Sequence, residues 1–216
     1  MAQEVLDKIL EGKIIAIVRG ISSEKIVALA TAMEKGGINC IEVTFDQTSE
    51  AGKQNTLAAI WNIKEQLGDR VCVGAGTVMT AEQVRMAVEA GAEYMISPDT
   101  NEEVIRETKR LGKISIPGAF TATEAAHAYA CGADIVKIFP AGTVGASYIK
   151  ALKAPLKHIP MTAVGGVNPQ NCKAFLDAGA VGVGVGGNLV SAKLVGEGRF
   201  DEITALAKEY MEALKG

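Results

Sequence analysis

The chain has 216 residues, 48% of them hydrophobic and 22% charged, which excludes a disordered chain and supports one large core. Its formal charge of −3 argues against nucleic acid or an anionic membrane as the main partner, while leaving room for a local site for a small anion. No apolar run is long enough to span a bilayer and the N-terminus carries no signal-peptide pattern, so no membrane partner and a cytoplasmic location are expected.

Strand-like and helix-like runs alternate from one end to the other. Met1–Gly12 reads as a leading helix, with Val5, Leu6, Ile9 and Leu10 on one face. Lys13–Arg19 is the first expected strand, and Ser22 or Ser23 is placed to cap the helix that Gly36-Gly37 ends. Cys40–Phe45 is the second strand, followed by a helix from about Ser49 to Leu67. Val71–Val78 is the third, with Thr80 capping the next helix; Tyr94–Pro98 is the fourth, with Asn101 as cap. Ile114–Phe120 is the fifth, and Thr121 or Thr123 opens the helix after it. Asp134–Ala141 is the sixth, with a helix near Ala146–Leu152; Met161–Val167 is the seventh, with Asn168-Pro169 opening its helix. Val181–Gly187 is the eighth, and a helix over about Phe200–Leu214 closes the chain.

Such alternation implies a parallel sheet, and eight units in this length predict an α/β fold: a (β/α)8 TIM barrel with an additional N-terminal helix, residues 1–216 forming one domain. A glycine-rich dinucleotide fingerprint in the required strand–turn–helix setting is absent. The four cysteines (Cys40, Cys72, Cys131 and Cys172) have no CxxC spacing and read as reduced packing residues. His127 and His158 show no metal-ligand spacing and read as structural or surface residues; Trp61 and the methionines read as packing.

In barrels of this kind the site lies at the C-terminal ends of the strands. Lys137 stands in the middle of the apolar sixth strand. Burying an ammonium is costly unless it is paired or loses its proton, and a free amine in an apolar setting can attack a ketone. The alternative is a lysine turned outward or guarding an edge. Parity offers a test. Ile41, Val43 and Phe45 form one face of the second strand, suited to pack under helices, so Glu42 and Thr44 point into the barrel. Ile135, Lys137 and Phe139 share a face of the sixth. A lysine and a glutamate inside one barrel are either an ion pair tying two strands or an amine nucleophile with a carboxylate for proton transfer. The pairs Gly165-Gly166 and Gly186-Gly187 end strands seven and eight, where main-chain N–H groups can bind phosphate; tight turns alone are the other reading.

Ile-Glu-Val-Thr-Phe at 41–45, Gly-Ala-Gly-Thr-Val at 74–78, Ile-Ser-Pro at 96–98, Ile-Pro-Gly at 116–118, Val-Lys-Ile-Phe-Pro-Ala at 136–141 and Gly-Gly-Val-Asn at 165–168 together resemble the 2-keto-3-deoxy-6-phosphogluconate / 2-keto-4-hydroxyglutarate aldolases over nearly the whole chain. The resemblance implies a class I aldolase, a homotrimer with neither metal nor other cofactor. It would cleave a 2-keto-4-hydroxy acid (2-keto-3-deoxy-6-phosphogluconate, 4-hydroxy-2-oxoglutarate or both) to pyruvate and an aldehyde, glyceraldehyde 3-phosphate or glyoxylate. It further implies that Lys137 forms the Schiff base and Glu42 is the general acid/base. Thr77 would hold the pyruvate carboxylate, Pro98 and Phe139 would wall the pocket, and Gly165, Gly166, Gly186 and Gly187 would line its distal end. Three positions depart from the family pattern: Asp46 replaces an arginine, for which Arg19 is the expected substitute; Val164 replaces a threonine; Gly187 replaces a serine. The alternatives are a relative acting on a different 2-keto acid, a phosphate-binding barrel with isomerase or epimerase activity, and a non-catalytic sugar-phosphate binder.

Overall fold

The computed structural model describes residues 2–215; Met1, expected to open the first helix, lies outside them. Its strands are β1 (Ile14–Val18), β2 (Cys40–Thr44), β3 (Cys72–Gly76), β4 (Tyr94–Ile96), β5 (Ile114–Ile116), β6 (Gly118–Ala119), β7 (Val136–Ile138), β8 (Met161–Val164) and β9 (Gly182–Val185). They form one parallel sheet in the order β5-β4-β3-β2-β1-β9-β8-β7-β6. The two end strands, β5 and β6, are separated in the chain only by Pro117, so the sheet curls into a nearly closed barrel. Eight strands were expected and the described residues hold nine, because Pro117 has no N–H to give the ladder and splits the fifth. Its carbonyl still accepts the Lys137 N–H, at 2.8 Å.

Helices α1 (Ala2–Gly12), α2 (Ile26–Lys35), α3 (Glu50–Leu67), α4 (Ala81–Glu89), α5 (Glu102–Arg110), α6 (Ala122–Ala130), α8 (Ala146–Lys153), α9 (Cys172–Asp177) and α11 (Phe200–Ala213) were expected; the short α7 (Ala141–Val144) and α10 (Ala192–Gly196) were not. Ser49, Thr80, Asn101 and Thr121 accept N–H groups from the first turns of their helices, and Thr121 forms a full capping box with Glu124. Ser22 and Ser23 do not cap α2, which starts at Ile26. Asn168 folds its side chain onto the N–H groups of Gln170 and Asn171 in a local turn, which delays α9 to Cys172. The sixth expected strand is shorter than Asp134–Ala141, since Pro140 caps α7. Among the described residues no helix is long and apolar enough to cross a membrane.

Two apolar clusters follow strand parity. Ile41, Val43, Phe45, Val73 and Ala75 belong to the larger one, between the strands and the surrounding helices. Ile15, Cys40, Cys72, Tyr94, Ile114 and Ile135 fill the barrel interior, which Val5 and Ile9 of α1 help close at the N-terminal end of the strands. Cys40 and Cys72 are register partners there, free and buried, and the contact with Cys40 and burial push the Cys72 thiol up, so it stays protonated. Trp61 is corrected from packing to surface: it is 52% exposed, because Ile60 and Ile63 take the buried face of α3 and the next position turns away.

Candidate active site

The residues that follow β1, β3, β4, β7, β8 and β9 surround a cavity of about 360 Å³. Arg19, Glu42, Thr77, Pro98, Lys137, Phe139, Gly165, Gly166, Gly186 and Gly187 all line it, so every expected site residue comes to one place. Ile17, Val167 and Gly184 complete the wall together with Val164 and Asn188. The strand pattern could have picked out Ile17 and Gly184, since they share the inward parity of Arg19 and Gly186. A larger cavity of about 640 Å³ lies at the opposite end, beside α1, among Lys8, Asp69, Glu93 and Lys113. It lacks a buried nucleophile and a glycine loop, and chemistry points to the smaller one.

Parity puts Glu42 and Lys137 inside, as expected, at 2% and 7% exposure. Glu42 is in register with Ile17 on one side and Gly74 on the other; Lys137 with Gly118 and Thr162. Glycine makes the room. A Cβ on Gly76 would collide with the Glu42 carboxylate, and one on Gly74 with the Tyr94 ring. Burial raises the Glu42 carboxyl above its ordinary range, and the charges of Lys137 and then Arg19 oppose that without cancelling it. The Lys137 ammonium position lies 5.2 Å from the centre of the Phe139 ring, which is 40% exposed and forms the outer wall.

At the rim, Arg19 Nη2 donates to Thr77 Oγ1 at 3.3 Å. The two glycine pairs differ. Gly165 and Gly166 have φ of +92° and +72°, which L side chains rarely adopt, and the Gly165 carbonyl accepts the Gly142 N–H at 2.7 Å. Nothing lies within 4 Å of a Cβ built on Gly187, and at Gly186 only atoms of Ile17 are that near. Asn188 Nδ2 ties the two loops by donating to the Val167 carbonyl at 2.9 Å. A buried carboxylate, an amine and an arginine in one cavity can bind a keto acid, form an imine and move protons.

Residues 5–206 match the family of KDPG and KHG aldolases. The chain belongs to that family. It is 37% identical over 203 residues to the 2-dehydro-3-deoxy-6-phosphogalactonate aldolase of Escherichia coli K12, covering 94% of this chain and 96% of that one. A solved structure named "Native KDPGal structure" superposes with a TM-score of 0.85 at 34% identity, covering 94% of each chain. The KDPG aldolase of Legionella pneumophila, solved with pyruvate captured as a covalent carbinolamine, superposes with a TM-score of 0.81 at 26% identity over 91% of this chain and 92% of that one. Aldolases are lyases, and this chain is one.

In this aldolase Asp46, where the resemblance led to an arginine being expected, does not line the pocket. It accepts from the Thr48 N–H (2.8 Å), Thr48 Oγ1 (2.6 Å) and Ser49 Oγ (3.2 Å) at the start of α3, bonds that hold its carboxyl below the usual range. A second group of ligand-type residues lies outside the aldolase pocket. Glu102, His127 and Cys131 bring one ligand atom each within 4.8 Å of one another, which corrects the reading of His127 as having no ligand-spaced neighbour. The Glu102 carboxylate is already held by Arg106, whose Nε donates to it at 2.6 Å.

Proposed function

We propose that the chain is a class I aldolase that cleaves a 2-keto-3-deoxy-6-phospho sugar acid to pyruvate and glyceraldehyde 3-phosphate through an imine on Lys137, working as a cytoplasmic homotrimer. The observation that carries this is a buried lysine and a buried carboxylate facing one cavity whose rim holds an arginine. The Lys137 amine adds to the C2 carbonyl, giving a carbinolamine that loses water to the imine. The protonated imine takes up the electron pair of the C3–C4 bond as the C4 hydroxyl loses its proton and the aldehyde departs. The enamine is then protonated at C3, and water releases pyruvate and the amine. Glu42 moves the protons: its buried carboxyl, raised above the ordinary carboxylate range, faces the same cavity as the Lys137 amine. Arg19 and Thr77 hold the C1 carboxylate. Gly165, Gly166, Gly186 and Gly187, with Asn188, receive the phosphate; the open space at Gly187 suits a ligand that approaches the main chain.

Two features favour the galacto-configured acid over the gluco-configured one and over 4-hydroxy-2-oxoglutarate. The 37% identical relative is named for the galactonate derivative. Val164 puts an apolar wall beside the pocket, where a threonine hydroxyl would bond one configuration of the C4 hydroxyl. In a coupled assay of pyruvate release we expect the highest kcat/KM for the galactonate derivative, and loss of turnover by at least about 10³-fold in Lys137→Ala with an unchanged circular dichroism spectrum. Wild-type-like turnover in Lys137→Ala would reject the imine mechanism; a preference for the gluconate acid would reject only the assignment of configuration.

A further inference from the structure

The loop after β3 holds a strained residue at the carboxylate end of the pocket. Thr77 has φ of +53°. A β-branched residue stands in that left-handed region only where its surroundings hold it there. Two glutamines supply the hold. Gln47 Nε2 donates to the Thr77 carbonyl at 2.7 Å. Gln47 Oε1 accepts from Gln83 Nε2 at 2.8 Å. Gln83 Oε1 accepts the Met79 N–H at 2.7 Å. The relay starts and ends on the same loop, two residues apart, so it closes a ring around the peptide that leaves Thr77.

Its direction is fixed by main-chain chemistry. A carbonyl only accepts and an amide N–H only donates, so the Thr77 end requires the NH₂ of Gln47 and the Met79 end requires the oxygen of Gln83. The middle contact then runs chiefly from Gln83 Nε2 to Gln47 Oε1 at 2.8 Å, with a longer bond from Gln47 Nε2 back to Gln83 Oε1 at 3.5 Å. Gln83 is buried, on the first turn of α4, and its own N–H donates to the cap Thr80. Two further bonds steady the loop: Val78 N–H donates to the Ile96 carbonyl (3.1 Å) and Asn101 Nδ2 to the Met79 carbonyl (3.3 Å).

We propose that Gln47 and Gln83 are positioning residues for the keto-acid carboxylate: they hold Thr77 in its left-handed conformation and so keep Oγ1 beside Arg19. This rests on the reading of Arg19 and Thr77 as the carboxylate site. Neither glutamine lines the pocket, so their effect reaches the ligand through Thr77.

The test is the pyruvate concentration that half-saturates borohydride trapping on Lys137, measured for wild type, Gln47→Leu, Gln83→Leu and Arg19→Ala. Gln47 is exposed, so its variant keeps the fold even where Gln83→Leu does not. Gln47→Leu should raise the half-saturating concentration by at least about tenfold, with the same labelling at saturation. On a Thr77→Gly background, where glycine takes the left-handed conformation freely, the same substitution should change it by less than about twofold. A half-saturation in Gln47→Leu within about twofold of wild type, with Arg19→Ala strongly impaired, overturns the role of the glutamines alone. An equal loss from Gln47→Leu with and without Thr77→Gly overturns it too. An unimpaired Arg19→Ala, or a wild type that never labels, removes the carboxylate reading or the imine itself.

Discussion

Glu42 is more costly to the folded chain as a carboxylate than as an acid. Burial raises its pKa from the ordinary 4.5, and that net shift already contains the attraction of Lys137 and Arg19. The direction fixes the pH dependence. Above the unfolded pKa the unfolded chain has released this proton while the folded chain still holds it, so rising pH favours unfolding until the folded pKa is passed. Stability from this group is therefore greatest at acid pH and lost on the way to neutrality and beyond. Glu42→Gln should melt at a higher temperature than wild type at pH 8, with the gap closing as the pH falls toward about 4.5, while turnover drops by about 10²–10⁴-fold. Thermal melts across pH check the first part and pyruvate release the second. A lower melting temperature at pH 8 would mean that Lys137 and Arg19 need the charge more than burial opposes it.

At the scale of the element, strand β3 exists to make room. Its inward positions alternate Cys72, Gly74 and Gly76; the glycines receive the Tyr94 ring and the Glu42 carboxylate. Gly76 has no positive φ, so space alone demands glycine there. Gly76→Ala should cost about 1–3 kcal/mol in a denaturant titration and lower kcat, because the methyl displaces the Glu42 carboxylate, the proposed general acid/base. Unchanged stability and kcat would show that Glu42 has another place to go. The elements are where sequence reading was strongest. Period-two alternation around Glu42 and Lys137, with caps at Thr80 and Asn101 and helix openings near Ser49 and at Thr121 or Thr123, announced strands, faces and helix starts; the structure puts the last cap at Thr121. It missed the break at Pro117, because the residues on both sides of it still read as one apolar run. It missed α7 and α10, too short to show a period.

At the scale of the whole molecule, the site is assembled from seven strands and the residues that follow them, and the local pattern places in advance only residues fixed by strand parity or by standing at a strand end. Lys137 and Glu42 meet the first condition and the late glycine pairs the second. The pairing of Gln47 with Gln83, 36 residues apart, meets neither, and the same holds for the approach of Glu102 to His127 and Cys131. Those contacts depend on loop paths and helix packing that no local pattern encodes. The family match speaks for aldol chemistry, which by our proposal runs through an imine on Lys137. The most direct measurement is intact mass and peptide mapping of the chain after incubation with pyruvate and borohydride. A single pyruvate-derived adduct on Lys137 is the predicted result. A folded protein with no adduct, or with the adduct on another lysine, would contradict it.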